Sequence, residues 1–411
     1  MSVYAIDNRV EVLNELTAED QYRLTASMHA IVEKKGFQDV VIDFSGCTKA
    51  FAPQMLPICS RCQLYWKQGV DISLLLPADK KLERLFLNTN WAHFIDFRKF
   101  ELSRYRGYTH SPALKFSDGS EQHKVVDKTM DVLLAAIRQF KRDDIRYIEW
   151  AINEITDNVI NHAESSVGGF IQVTNHRQRE QIEIVVCDGG IGIPESLSGS
   201  FPSMTDSERL YEAIKEGVTR DKSFGQGNGL YGSLTIAGKS GGELNIASGY
   251  ASLKSSDRTG LTSETQAIPV NGTVVASRFG YGDKVDLSDA LVISGRTFVP
   301  VDYIETHFES DPDGNIQFLI KNESEGFGSR AAGEPVRRKL GNVINAQEGD
   351  GVVILDFSDV PLVSSSYADE VVGKLFVELG PLEFMRRIKI QNVDPLVKGL
   401  VDKAVMQRSA N

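Results

Sequence analysis

The sequence predicts an α/β protein built as α+β sandwiches, in three domains at residues 1–105, 106–285 and 286–411. Strand patterns alternate with helical patterns and short loops near both ends of the chain, which indicates α/β layers. The chain turns polar at 106–120, and its pattern changes again near residue 285, so we place the domain boundaries there. A chain of 411 residues is long enough for two or three domains, each with its own core.

The composition argues against several classes of function. A net charge of -11 disfavours a nucleic-acid-binding protein, because phosphate backbones require a basic surface. We expect neither a membrane span nor a secretion signal, since the sequence has no long apolar stretch and no charged-then-apolar leader. Four cysteines fit a reducing compartment, and we expect a cytoplasmic protein. The isolated pair Cys59 and Cys62 is more typical of a helix-borne core pair than of a zinc or redox site.

The central domain is organised around the stretch from Glu149 to Glu164. Apolar residues recur there at spacings of three and four, which predicts a helix with one apolar stripe: Ile148, Ile152, Ile155 and Val159. Glu154 and Asn158 share a second stripe. A carboxylate and a carboxamide placed in this way could orient a water or hydroxyl and hold a hydrated cation. A solvated helix face shows the same spacing, so the neighbouring segments decide between the two interpretations.

The first of these segments joins an apolar run to a glycine turn. The run ends at Asp188 and passes directly into Gly190 and Gly192. This pattern predicts a buried strand followed by a glycine turn.

The second segment is a glycine-rich stretch before a helix. Gly225, Gly227 and Gly229 precede an apolar helical pattern that starts at Leu230. Glycines let backbone N–H groups approach a phosphate, and the N-terminus of a helix adds its positive dipole end. The segment therefore predicts an anion site.

In this order the segments resemble the four boxes of the GHKL ATPases: Glu154-x-x-x-Asn158, Asp188-x-Gly190-x-Gly192, Gly225-x-Gly227-x-Gly229-Leu230, and Asn271-Gly272-Thr273. The resemblance covers roughly residues 110–280. That superfamily includes gyrases, heat-shock chaperones, mismatch-repair ATPases, histidine kinases and anti-sigma-factor serine kinases. The ending His162-Ala163 of the first box looks most like the serine kinases. The resemblance implies a Bergerat-type domain with ATP and Mg²⁺ as cofactors.

The resemblance also implies a role for each box. Glu154 would activate the attacking water or hydroxyl, and Asn158 would help to hold magnesium. Asp188 would accept a hydrogen bond from the adenine amino group, and Thr273 would support that base. The glycines of both glycine boxes would approach the ribose and the phosphates.

Residues 195–224 would form the ATP lid. Arg220 and Lys222, just before the second glycine box, could reach the terminal phosphate or could equally be solvated lid charges. Beyond that box, two strand patterns are separated by about fourteen residues rich in Ser, Thr and Gly. We expect these residues to form a mobile loop.

Residues 1–105 resemble a STAS domain, the fold of the anti-anti-sigma factors. Val40-Val41-Ile42-Asp43-Phe44-Ser45-Gly46 matches its central strand and turn. The segment from Ala50 to Leu56, where such domains carry a phosphorylatable serine, contains none. This domain could therefore dock a partner without being switched at that segment. Its last segment, from Lys80 to Ile95, predicts a single helix.

Residues 295–408 resemble the STAS-like domains of unknown function that often lie beside GHKL ATPases. The strand motif Val353-Ile354-Leu355-Asp356-Phe357-Ser358 repeats the one near the N-terminus, with Ser329-Arg330 upstream and Gln391-Asn392 downstream. Ser364, Ser365 and Ser366 follow where STAS relatives place their phosphorylated serine. Ser366 with Asp369 also predicts a helix N-cap, and a cap and a phosphorylation site are compatible.

Together the resemblances imply an ATP- and magnesium-dependent regulatory switch of the partner-switching type. It would be a serine kinase or a slow ATPase whose lid couples nucleotide state to STAS-domain docking. The alternative is a non-catalytic ATP-binding scaffold whose STAS domains mediate assembly. A histidine-kinase-like sensor is disfavoured because no helical hairpin with an exposed phospho-accepting histidine precedes the ATPase boxes. The expected partners are proteins, either sigma-factor regulators or STAS proteins, and a second copy in a homodimer. We expect neither nucleic acid nor membrane as a partner.

Overall fold

The computed structural model describes residues 2–104, 110–137, 141–220, 227–256, 260–282, 285–301, 307–308, 314–347 and 351–409. The chain divides into two compact units. The first contains Met1–Thr129 and Trp150–Val299, and the second contains Met130–Glu149 and Pro300–Asn411. Helices and sheets are mixed in both, which confirms the predicted α/β class. Across the described residues, no helix combines the length and the apolarity needed to cross a membrane.

The first hundred residues form a four-stranded sheet with helices beside it. The elements are β1 (Val3–Ile6), β2 (Arg9–Val12), β3 (Asn14–Glu15), α1 (Ala18–His29), β4 (Asp39–Asp43), β5 (Cys47–Lys49), α2 (Ala52–Lys67), β6 (Asp71–Leu75), α3 (Lys80–Asn88) and α4 (Trp91–Ile95). The strand order is β1-β2-β4-β6. The first pair is antiparallel and the other two are parallel. Strands β3 and β5 form a separate short parallel pair.

The single helix predicted from Lys80 to Ile95 is wrong, because the structure breaks it into α3 and α4. Asn90 adopts a left-handed conformation with φ of +66°. Its Oδ1 accepts a hydrogen bond from the Ser103 backbone N–H at 2.7 Å, and its Nδ2 donates to the Ala113 carbonyl at 3.0 Å. Asparagine tolerates this conformation better than most residues. Tertiary partners distant in sequence thus override the helical pattern.

The central sheet is antiparallel and five-stranded, in the order β10-β11-β9-β8-β7. Its elements and the following hairpin are β7 (Leu114–Phe116), α5 (Gly119–Ala136), α6 (Arg142–His162), β8 (Gly169–His176), β9 (Gln181–Asp188), α7 (Ile193–Ser196), α8 (Asp206–Ala213), α9 (Gly229–Lys239), β10 (Glu243–Ser256), β11 (Gly260–Gly280), β12 (Val292–Ile293) and β13 (Arg296–Thr297). Helix α9 packs on β10 and β11.

The mobile loop predicted between the last two long strands is also wrong. Strand β10 runs on to Ser256 and β11 begins at Gly260, so this polar stretch is a paired β-arm. Leu253, for example, lies opposite Ser263. The threonines of this stretch also favour a β-strand. The arm also holds helix α8, because the Asp206 carboxylate accepts a hydrogen bond from the Tyr250 backbone N–H at 2.8 Å.

One hydrophobic core joins the N-terminal helices to the central sheet. Helix α2 packs on β8, β9 and β11. The Trp91 indole N–H donates to Oε1 of Gln172 at 2.7 Å, and the rings of Phe94 and Phe170 meet edge to face at 5.1 Å. Cys59 and Cys62 lie fully buried in this core, and burial raises the pKa of both thiols. The first hundred residues and the central sheet therefore form one compact unit.

The second unit contains a parallel three-stranded sheet in the order β14-β15-β16. Its elements are β14 (Ile316–Leu319), α10 (Ile320–Glu323), α11 (Arg330–Ala346), β15 (Val353–Asp356), α12 (Ser365–Ala368), α13 (Lys374–Leu379), α14 (Pro381–Arg387), β16 (Ile388–Gln391) and α15 (Pro395–Ser409). At the end of β15, Asp356 accepts hydrogen bonds from Gln391, Asn392 and the Ser358 backbone.

The N-cap predicted at Ser366 is wrong, since the structure places it at Ser364. Ser364 Oγ accepts a hydrogen bond from the Tyr367 backbone N–H at 3.0 Å. Asp369, the predicted partner of Ser366, instead forms ion pairs with Arg330 and Arg408 at 2.7 and 2.8 Å, and hydrogen bonding to Arg408 and Arg330 holds its pKa at about 2. Tyr367 is only 1% exposed, so burial of its ring fixes where the helix starts.

Replacement of Ser364 by Ala should therefore loosen the start of α12. The loss of a cap typically lowers stability by about 1 kcal/mol, whereas Ser366→Ala should leave the Tyr367 N–H bonded. Hydrogen exchange of the peptide that contains Tyr367 is the measurement. We expect faster exchange in Ser364→Ala, near-normal exchange in Ser366→Ala, and recovery in Ser364→Asp, because Asp also caps helices. Faster exchange in Ser366→Ala alone would contradict the assignment.

Candidate functional site

A cavity of about 640 Å³ lies in the first unit, lined by helix α6, the turn after β9, the start of α9 and strand β11. Its wall brings together nine of the residues singled out in the sequence: Glu154, Asn158, Asp188, Gly192, Arg220, Gly227, Gly229, Leu230 and Thr273. Gly190 lies in the turn behind the wall. Lys222 and Gly225 lie outside the described residues, so their predicted roles stay predictions.

Asp188 ends β9 as a buried carboxylate, only 5% exposed. Its Oδ1 accepts a hydrogen bond from the Gly190 backbone N–H at 2.8 Å, and the carboxylate also accepts one from the Thr273 backbone N–H. Burial raises the pKa of Asp188 to about 6, although both hydrogen bonds act in the opposite direction. A buried acceptor therefore faces the cavity at a fixed position.

Gly190 matters for packing rather than for lining the cavity. A Cβ atom at this position would lie 1.9 Å from the carbonyl oxygen of Ala163, just after α6. The neighbouring Ile191 N–H donates to that oxygen at 2.8 Å. The absence of a side chain thus lets the turn after β9 rest directly on the end of α6, which fixes Asp188 relative to that helix.

Glu154 lies against the start of α9. A Cβ atom on Gly229, the first residue of α9, would lie 2.5 Å from Oε2 of Glu154, so a side chain here would displace that carboxylate. Burial, with a smaller effect from the charge of Asp157, raises the pKa of Glu154 to about 7. Asn158 lies one turn further along α6. A carboxamide oxygen is a ligand that Mg²⁺ accepts, so Asn158 fits a magnesium site by its chemistry.

Arg220 belongs to the predicted lid. Its guanidinium donates to Oε1 of Glu164 at 2.6 Å, so the structure gives it a carboxylate partner. Before it, α8 begins with a full capping box between Thr205 and Glu208. Between α8 and Arg220, the Gly217 N–H donates to the Gly227 carbonyl at 3.1 Å, which joins the lid to the second glycine box.

Sequence reasoning missed Ser248. This fully buried residue of β10 donates to the Gly272 carbonyl at 2.8 Å and accepts a hydrogen bond from the Ile193 N–H at 2.9 Å. Its Oγ also lies 3.1 Å from Thr273 Oγ1. A serine on the apolar face of a strand was the available signal, but its partners belong to α7 and β11, which are distant in sequence.

Sequence reasoning also missed a whole hairpin. Strands β12 and β13 bring Ile293, Arg296, Thr297 and Phe298 into the cavity wall. No known motif marks this stretch, and the sequence placed it in the third domain. In the structure the first unit extends to Val299 and contains it.

A second cluster of titratable groups lies in the second unit, where ligand atoms of Asp131, His307 and Glu323 are within 4.8 Å of one another. The ammonium of Lys339 donates to Asp131 Oδ1 at 2.8 Å and to Glu323 Oε2 at 3.1 Å. A lysine thus already supplies the positive charge between the two carboxylates, and we assign no metal to them.

Replacement of Asp188 by Asn should stabilise the protein above about pH 6. The native pKa of about 6 exceeds the usual value near 3.9, so the native state holds a proton that the unfolded chain releases between these values. Stability contributed by this group is therefore lost as the pH rises through that window. Asn buries no charge and keeps an oxygen for Gly190, so the melting temperature should rise at pH 8 and match wild type near pH 4. A difference independent of pH would contradict this account.

Two family models match the chain. Residues 143–275 match the model described as "Histidine kinase-, DNA gyrase B-, and HSP90-like ATPase". Residues 332–398 match the model described as "STAS-like domain of unknown function". A search of curated proteins gives no significant match. The chain thus contains a GHKL ATPase domain at 143–275, as its sequence boxes predicted, and a STAS-like domain at 332–398.

Proposed function

We propose that this chain binds ATP with Mg²⁺ in the cavity and acts as an ATP-dependent regulatory switch of the partner-switching type. The observation that carries the proposal is the convergence of Glu154, Asp188 and the N-terminus of α9 on one cavity inside a GHKL ATPase domain. A STAS-like domain in the same chain fits a regulatory protein. The switch is either a serine kinase or a slow ATPase.

The Asp188 end of the cavity suits adenine. A carboxylate is an acceptor only, so it matches the donor N–H of an exocyclic amino group. Two backbone N–H groups hold this carboxylate in place before any ligand arrives. Thr273, fixed by Ser248, lies in the same wall and would support the base.

The start of α9 suits the phosphates. Its first N–H groups have no partners within the helix and carry the positive end of the dipole. Asn228 and Gly229 place this end in the cavity wall. A helix N-terminus in a cavity wall is a ready-made site for a phosphate.

Glu154 suits the role of general base. A base with a pKa near 7 is half deprotonated at neutral pH and can accept the proton of an attacking water or serine hydroxyl. Asn158 would help to hold the magnesium ion. When bound, that ion neutralises phosphate charge.

The second candidate is a non-catalytic ATP-binding scaffold. The core that the N-terminal domain shares with the central sheet favours this scaffold, because the N-terminal domain is already packed against the ATPase domain of the same chain. We propose a STAS-like fold for the N-terminal domain, with domain boundaries near residues 105 and 285. Both candidate functions involve protein partners, such as sigma-factor regulators, other STAS proteins or a second copy in a homodimer. Both also imply a cytoplasmic location.

Replacement of Glu154 by Gln should keep nucleotide binding and stop turnover. A positioned base contributes about 10²–10⁴-fold in rate, and Gln retains the size of the side chain without the basicity. In wild type, kcat/KM should fall roughly tenfold per pH unit below about pH 7, as Glu154 takes up its proton. Calorimetry with ADP and a phosphate-release assay measure the two properties.

Glu101→Gln, a change at an exposed carboxylate of the N-terminal domain, is the matched control and should leave both properties unchanged. Wild-type turnover in Glu154→Gln would overturn the role of Glu154 as base, whereas nucleotide binding without turnover in the wild type would favour the scaffold. Mass spectrometry after incubation with Mg-ATP, with and without STAS-domain proteins, separates phosphoryl transfer to serine from hydrolysis.

A further inference from the structure

A hairpin beyond the ATPase boxes supplies a second guanidinium to the cavity. Arg296 lies in β13, within the stretch from Leu291 to Phe298, which we call the distal hairpin. The family match ends at residue 275, so this hairpin lies outside it. Arg296 nevertheless lines the same cavity as Glu154.

The distal hairpin is held firmly in place. The Phe298 N–H donates to the Leu291 carbonyl at 2.8 Å, which closes the hairpin, and the Phe298 ring lies 6.4 Å from that of Trp150. A Cβ atom on Gly232 of α9 would lie 2.4 Å from Trp150 and 2.7 Å from Leu291. The hairpin, α6 and α9 are therefore in close contact.

Helix α6 shows which end of the cavity the hairpin covers. Asp188 lies at the end of this helix, because its turn rests on Ala163. Trp150, which contacts the hairpin, lies near the middle of the helix, roughly 20 Å before Ala163 at 1.5 Å per residue. Glu154 is one turn from Trp150. The distal hairpin thus lies at the Glu154 end, where the terminal phosphate of a nucleotide held by Asp188 would be.

The two arginines of the cavity wall differ in whether a carboxylate forms an ion pair with them. Arg220 is paired with Glu164 at 2.6 Å. Among the described residues, no carboxylate forms an ion pair with the exposed guanidinium of Arg296. The same wall contains the carboxyl groups of Glu154 and Asp157. A terminal phosphate placed beside them needs a nearby positive charge, and a guanidinium can bind phosphate oxygens in a bidentate manner.

The hairpin also touches the lid. Oε1 of Glu216 accepts hydrogen bonds from the backbone N–H and the hydroxyl of Ser294, at 2.5 and 3.0 Å. The next residue, Gly217, is bonded to Gly227. Hairpin, lid and glycine box are therefore joined by hydrogen bonds around the Glu154 end of the cavity.

We propose that Arg296 binds the terminal phosphate of ATP, so that the distal hairpin makes this site discriminate ATP from ADP. The inference rests on the proposed function. It assigns a nucleotide-binding role to a residue outside all four boxes and identifies the triphosphate as the ligand that the site prefers.

The experiment compares a non-hydrolysable ATP analogue with ADP, both with Mg²⁺, by calorimetry. In Arg296→Gln the affinity for the ATP analogue should fall about tenfold, the usual loss for one charge-assisted hydrogen-bonding group, while the affinity for ADP stays within about twofold. Arg296→Lys keeps a positive charge and should lose less. Arg179→Gln, a change at an exposed arginine on the turn between β8 and β9, is the matched control and should alter neither affinity.

The outcomes separate the two proposals. If wild type binds neither nucleotide, the proposed function fails and the role of Arg296 fails with it. If wild type binds both but Arg296→Gln weakens both equally, or neither, the role of Arg296 alone is overturned. An unchanged melting temperature shows that the variant is folded, as expected for an exposed side chain.

Discussion

The two-residue period of strand β9 is the constraint on which the site depends. Its alternate residues Val185 and Cys187 enter the core shared with the N-terminal helices, while Val186 and Asp188 line the cavity. Strand β11 is paired in register with it, since Val274 lies opposite Cys187. A slip of one residue would send a carboxylate into the apolar core and a thiol into the cavity. Burial on one face of the sheet therefore fixes the chemistry on the other.

The sequence predicts those parts of the site whose positions depend on residues nearby in the chain. Helical spacing shows that Glu154 and Asn158 share a face, and glycines mark turns wherever the backbone must come close to another group. The parts that sequence could not predict depend on distant partners. Ser248 is hydrogen-bonded to α7 and β11, the distal hairpin packs on Trp150, and the break at Asn90 depends on Ser103 and Ala113.

The fold, too, has parts that the local sequence predicts and parts that depend on distant contacts. The α/β class, most helices and the strands of the central sheet other than β7 follow from apolar periodicity, whereas β7 lies in the stretch 106–120 that was expected to be a polar connection. The sequence predicts a loop where the structure has the β-arm, because a stretch rich in Ser, Thr and Gly can form either. Strand pairing and the contact with α8, which the sequence does not reveal, make this stretch a β-arm. The helix start at Ser364 was placed two residues late because burial of Tyr367, which the sequence does not reveal, decides it.

The core shared by the N-terminal domain and the central sheet fixes their stoichiometry. Two proteins that meet by diffusion associate to an extent that depends on the concentration of each, and dilution separates them. Here the two partners are made in equal number, and covalent linkage gives each a high effective concentration of the other. Ser60 of α2 lies close behind Gly189, next to Asp188, so a change at one partner reaches the other across one layer of side chains. Their association therefore does not depend on the concentration of the protein.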